Sequence, residues 1–166
     1  MCIKVSQSDN VFGEPALCYA HFRETYEAAM KDDAPKPCLK RRAGDTYSGK
    51  QGFEYFEGIS KETARSDGIC MHILTVPPGG RAKAHKHETH ETAIYVLSGN
   101  AVMYWGNNLE NYMTTEPGDM VYIPADVPHL PINPGAVPAV AVIARTDPHE
   151  QESVVLLPDL EKLVPE

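Results

Sequence analysis

Between about residues 53 and 157 the chain is built of short runs in which apolar and polar positions alternate. FEYFEGI, GICMHILTV, TAIYVLS, NAVMYWG, DMVYIP and AVAVIART are rich in β-branched and aromatic residues. Alternation of this kind predicts strands with one buried face. Turn formers separate the runs: Pro77-Pro78-Gly79-Gly80, Ser98-Gly99-Asn100, Gly106-Asn107-Asn108 and Glu116-Pro117-Gly118-Asp119. Pro117 and Gly118 suit the two central positions of a type II turn, because proline presets φ and glycine accepts a positive φ. Many short strands at this spacing predict an all-β sandwich or barrel. Ile94 and Val96 share parity with Thr92 and are expected to line its interior, whereas Tyr95 and Leu97 face away. Met103 and Trp105 share one face of their run, and His72 reads as a core or rim histidine.

Residues 1–52 have a different texture and read as an N-terminal extension. EPALCYAHFRETYEAAMK spaces Tyr19, Phe22, Tyr26 and Met30 near a helical period, predicting a helix from Pro15 to Lys31. Turn formers follow it. Residues 158–166 read as a C-terminal tail.

Composition narrows the function. The net charge of −8 argues against a general role on nucleic acid or anionic membranes. No apolar run is long enough to cross a bilayer, and the first residues lack a signal-peptide core, so a cytoplasmic location is expected. Cys2, Cys18, Cys38 and Cys70 show no metal-finger spacing and read as free thiols.

The segment GGRAKAHKHETHETAIYVLSG, Gly79 to Gly99, carries the chemistry. On a strand His85 and His87 point to one face and make a two-point metal clamp. A third imidazole, His129, follows the strand DMVYIP and a proline-rich turn. Folded across a barrel interior, it would close a three-histidine group drawn from separate elements. Arg81 and Lys83 share parity with His85 and His87 and are candidate contacts for a substrate carboxylate.

These residues resemble the two motifs of the cupin superfamily. Gly79, His85, His87 and Gly99 match the first motif; Gly118, Pro124, His129 and Asn133 match the second, with Asp126 in place of its second glycine. The resemblance implies a jelly-roll β-barrel over 53–157 that holds one divalent ion (Fe, Mn, Ni or Zn) on His85, His87 and His129. For the fourth ligand there are three readings. Thr92 stands where the motif, counted back from Gly99, has glutamate, glutamine or histidine. Glu91 lies the right distance after His87 and would turn inward at a bulge. His90 is its rival, and a three-histidine site with neither is the third reading. The implied function is a metal-dependent enzyme, first a dioxygenase-type oxidoreductase on a small oxygen-rich or carboxylate-bearing molecule. A Lewis-acid lyase, isomerase or decarboxylase, or a non-catalytic small-molecule-binding cupin, are the alternatives. A homodimer is expected from the same resemblance.

Overall fold

The computed structural model describes residues 35–36, 38–42, 47–48, 50, 52–149 and 153–165. The helix expected over Pro15–Lys31 lies outside the described residues, as do Cys2 and Cys18. Residues Leu39–Glu166 form a compact unit of their own.

The strands are β1 (Tyr47–Ser48), β2 (Glu54–Ile59), β3 (Cys70–Val76), β4 (His85–His87), β5 (Thr92–Ser98), β6 (Ala101–Trp105), β7 (Asn111–Thr115), β8 (Met120–Ile123), β9 (His129–Ile132), β10 (Ala139–Arg145) and β11 (Val154–Leu156). A four-residue helix α1 (Lys61–Ala64) and a 3-10 turn (Glu161–Leu163) complete the described elements. The strands form two antiparallel sheets, one ordered β1-β2-β3-β10-β5-β8 and the other β11-β4-β9-β6-β7. Chain neighbours are repeatedly split between the sheets, which makes the fold a jelly roll.

Alternation explains most of this packing. In β3, Cys70, His72, Leu74 and Val76 are buried while Met71 and Thr75 are exposed. Phe53, Leu74, Val76, Ala82, Ala139 and Ile143 make one core cluster, with Ile94 and Ala101 against it. A second cluster, Ala84, Leu109, Leu130 and Val164, lies under the C-terminal segment.

The turns obey their chemistry. Asp119 N–H donates to the Glu116 carbonyl at 3.1 Å, and Gly118 has φ +100°, as the proline–glycine pair predicts. Gly99 has φ +72°, and a Cβ there would collide with the Pro138 carbonyl, so this position needs glycine on both counts. Asp126 also occupies the left-handed region, with φ 64°. Aspartate tolerates that conformation better than most residues, which is why the motif survives the loss of its second glycine. Asp126 N–H then donates to the His87 carbonyl at 2.7 Å and so ties the turn to the histidine strand. Asn133 is fully buried. Its amide donates to the carbonyls of Val76 (3.0 Å) and Val137 (2.8 Å), and its oxygen accepts from Gly135 N–H at 2.9 Å.

Candidate metal centre

β4 and β9 bring the three histidines together. His85 stands directly opposite His129 in the antiparallel register, and directly opposed residues point to one face. His87 follows two residues later on the same face. One potential ligand atom from each of the three lies within 4.8 Å of the others. An ion with bonds of about 2.1 Å can bridge that spacing after small ring rotations. All three rings are buried, at 4, 2 and 4 % exposure for His85, His87 and His129. The sequence reading set His129 across the interior from the other two. It is instead their neighbour in one sheet, because a single register pair suffices to juxtapose the rings.

Hydrogen bonds fix two of the tautomers. His85 Nδ1 lies 2.7 Å from the Lys83 carbonyl, and His129 Nδ1 lies 2.9 Å from the Val127 carbonyl. A carbonyl only accepts, so each Nδ1 carries the proton and each Nε2 keeps its lone pair. Both ring nitrogens of His87 are buried without a hydrogen-bond partner among the described residues. Buried polar atoms of this kind call for an explanation, and a cation held by the three rings provides one.

The electrostatics agree. Burial holds His129 down to about 4 and drives His85 and His87 well below the ordinary range; Arg145 and the neighbouring histidines push the same way. Near neutral pH the rings therefore present lone pairs rather than protons.

Glu91 departs from the expectation of an inward turn. It is exposed, and its carboxylate accepts a 2.6 Å bond from the Tyr122 hydroxyl. Its N–H donates to Thr146 Oγ1, and its carbonyl accepts from Thr146 N–H. Plain strand alternation prevails here: Thr92 faces inward and is buried, which leaves Glu91 outside.

His90 is 1 % exposed and stacks on His87 with ring centroids 4.5 Å apart. Its Nδ1 is 2.6 Å from Ser153 Oγ and 3.4 Å from Asp147 Oδ2. Its Nε2 is buried without a hydrogen-bond partner among the described residues.

Arg81 and Lys83 miss the cavity. The Arg81 guanidinium donates to the carbonyls of Pro165 (2.7 Å), Glu161 (2.9 Å) and Val164 (3.2 Å), and Lys83 is exposed. Residues 82–84 are not regular strand, and the consecutive residues Ala84 and His85 are both buried. Strand parity counted back from His85 is lost there.

Between the sheets lies a cavity of about 90 Å³ whose wall includes His85, His87, His129, Thr92 and Arg145. The rest is chiefly apolar, with Leu74, Val96, Met103, Ile123 and Ile143 among the lining residues. Ile94 and Val96 line it as alternation predicts, and Met103 does too, while Trp105 is 37 % exposed at the strand end. Arg145, 4 % exposed, is the residue sequence reading missed. The signal was available: in AVAVIAR, Ala139, Ala141, Ile143 and Arg145 share one face, so an arginine ends an otherwise apolar inward row.

Residues 72–145, a little under half of the chain, match the cupin domain family. An uncharacterized protein of Methanocaldococcus jannaschii is 33 % identical over 82 residues, covering 49 % of this chain and 63 % of that protein. The match thus spans less than two thirds of that relative. Oxalate decarboxylase of Lactobacillus farciminis, in its formate complex, superposes with a TM-score of 0.58 at 20 % identity over 73 % of this chain and 36 % of that one. A Bacillus subtilis oxalate decarboxylase described for its Mn(II) centres gives 0.57 at 22 % identity over 77 % of this chain and 32 % of that one. At such identities the likeness is one of fold. No helix among the described residues is long and apolar enough to cross a membrane.

Proposed function

We propose that this cupin domain is a metal-dependent enzyme holding one divalent ion on His85, His87 and His129, and that it carries out dioxygenase-type chemistry on a small carboxylate-bearing molecule. The observation that carries this reading is the buried trio of neutral imidazoles opening on an apolar cavity. When bound, the ion would supply open coordination positions for substrate and dioxygen, or a Lewis acid.

The chain's own residues prepare that role. The Lys83 and Val127 carbonyls orient two of the rings and hold their protons on Nδ1, as outer partners of ligating histidines do. The apolar wall excludes water and brings reactants together in a dry space. His90, held by Ser153 and Asp147 at Nδ1, offers its Nε2 as a fourth nitrogen; a three-histidine site is the simpler form. Neutral nitrogen ligands leave the ion's charge uncompensated, which favours an anionic substrate. Such a donor set accommodates Fe, Mn, Ni or Zn.

A lyase or decarboxylase on the same site is the second reading. Arg145 favours it, because a guanidinium in the cavity wall can hold a carboxylate beside the cation. Metal analysis of protein purified without added ions, against the His85→Ala/His87→Ala double variant, tests the site. Oxygen consumption over catechols, diketones and hydroxy acids separates the two chemistries: turnover without oxygen uptake overturns the dioxygenase reading. A second copy of the chain is the expected partner, and dilution-dependent sedimentation tests it.

A further inference from the structure

The outer face of the six-stranded sheet, on the far side from the cavity, is apolar where water would favour polar residues. Register fixes two neighbouring rows across four strands. One row is Met71, Ala144, Ala93 and Tyr122. The next is Ile73, Val142, Tyr95 and Met120. Phe56 and Ile59 of β2 extend the rows to a fifth strand. An antiparallel sheet with one face in water places polar residues on that face, and these rows do not. Met120 is 83 % exposed, Tyr122 59 % and Tyr95 43 %. Leu97 is exposed as well and continues the outward side of β5.

We propose that this face is the contact between two copies of the chain, related by a two-fold axis that runs along the two rows and between them. The inference rests on the expected second copy and is independent of the metal.

Size is the first argument for a copy as the occupant. Strands about 4.8 Å apart, with outward residues about 6.8 Å apart along each, give the rows a footprint of about 24 by 14 Å. Leu97 and the relief of the side chains enlarge it. A standard interface takes about 800 Å² from each partner, with an apolar core inside a polar rim. The two rows supply about half of that area as core. Glu91, which accepts from the Tyr122 hydroxyl, stands at the rim.

Charge is the second argument. The chain carries a net charge of −8, so two copies repel each other over most of their surfaces. The two rows are free of charged residues, which makes this face a place where a copy can approach a copy.

Shape is the third. Ala144 and Ala93 form a low centre in the first row between Met71 and Tyr122, and a groove opens over them. The second row carries Val142 and Tyr95 on the same two strands. The two-fold axis lays the first row of one copy over the second row of the other. Tyr95 then fills the space above Ala93, and Val142 the space above Ala144. A two-fold contact requires a patch that complements itself, and large side chains set on small ones achieve it.

The test is sedimentation over a dilution series of the full chain and its variants, with metal content and Tm measured for each. Wild type is expected to dimerise with a Kd below about 10 µM. Ala93→Glu and Tyr95→Lys are each expected to weaken the dimer at least tenfold. Both positions are exposed in the single chain, so folding should be kept, and either variant decides alone if the other does not fold. Tyr112→Lys, exposed on β7 of the other sheet, should stay within twofold of wild type. Mixing Ala93→Glu with Tyr95→Lys should give a heterodimer at least tenfold tighter than either variant alone, because the two charges then face each other. Wild type that stays monomeric up to about 100 µM overturns the proposal together with the expected second copy. A dimer that a folded Ala93→Glu or Tyr95→Lys leaves within tenfold of wild type overturns this surface and leaves the second copy to bind elsewhere. No gain on mixing overturns the two-fold arrangement. Wild type that dimerises as expected but takes up no metal overturns the proposed function and supports the interface.

Discussion

The stretch leading into β4 and the strand β10 each carry an arginine, and they put it to opposite uses. Arg81 lies in a polar stretch beside two metal-type histidines, yet it reaches out to three carbonyls of the C-terminal segment. Arg145 closes a run of alanines, valines and isoleucine, and it lines the cavity. The difference lies in backbone continuity. From Ala139 to Arg145 the strand is paired on one side with β3 without a break, so inward parity carries through to its last residue. Between Arg81 and His85 the chain is not regular strand, and Ala84 and His85 are both buried in succession, which resets the count. Polar company in sequence is therefore a weaker guide to a site than an unbroken ladder.

The largest expected effect concerns the histidine wall itself. The His85→Ala/His87→Ala double variant should lose metal affinity by more than about a hundredfold, read by metal analysis after dialysis. Arg145→Met should retain the metal, and loss of it there would erase the distinction between the two walls.

Next comes pH. Burial depresses His72 to about 3 and His129 to about 4 from the usual 6.5, with Arg145 adding to the effect at both. The unfolded chain therefore takes up protons first. The stability contributed is complete above pH 6.5 and falls as pH drops from 6.5 toward 4. At about 1.4 kcal/mol per unit of separation, several kcal/mol are at stake. Urea unfolding of metal-free protein at pH 7.5, 5.5 and 4.5 measures it, and a flat profile would refute the burial of these rings.

Arg81 supplies the counterpart to Arg145. Arg81→Met removes three hydrogen bonds from a charged donor and should cost about 2 kcal/mol of stability, seen as a lower urea midpoint. Metal content should stay that of wild type; a loss of metal would return Arg81 to the site. The smallest effect is expected at Glu91. Glu91→Gln should leave metal content unchanged and shift Tm by less than about 2 °C, since its bond to Tyr122 is exposed. Loss of metal in that variant would mean that the carboxylate turns inward after all.

Most of the barrel was legible because alternation states which face of a strand is buried. Ile94 and Val96 were assigned that way, and the positive φ at Gly118 followed from residue chemistry. The His-x-His pair was legible for the same reason. Glu91 was misread because a bulge was invoked where simple alternation holds, and Arg81 because alternation was assumed where the strand is interrupted. His90 could be flagged but not placed, since its partners Ser153 and Asp147 lie some sixty residues along the chain.

The sequence by itself determined the strands, the turns and the candidate histidines, because side-chain parity and the φ limits of proline, glycine and aspartate are local properties. Tertiary structure alone decided that His129 pairs beside His85 rather than across from it, and that Thr92 and Arg145 stand together on the opposite wall. Those facts depend on which strands become neighbours and in what register, and pairing between residues far apart in the chain leaves no local trace.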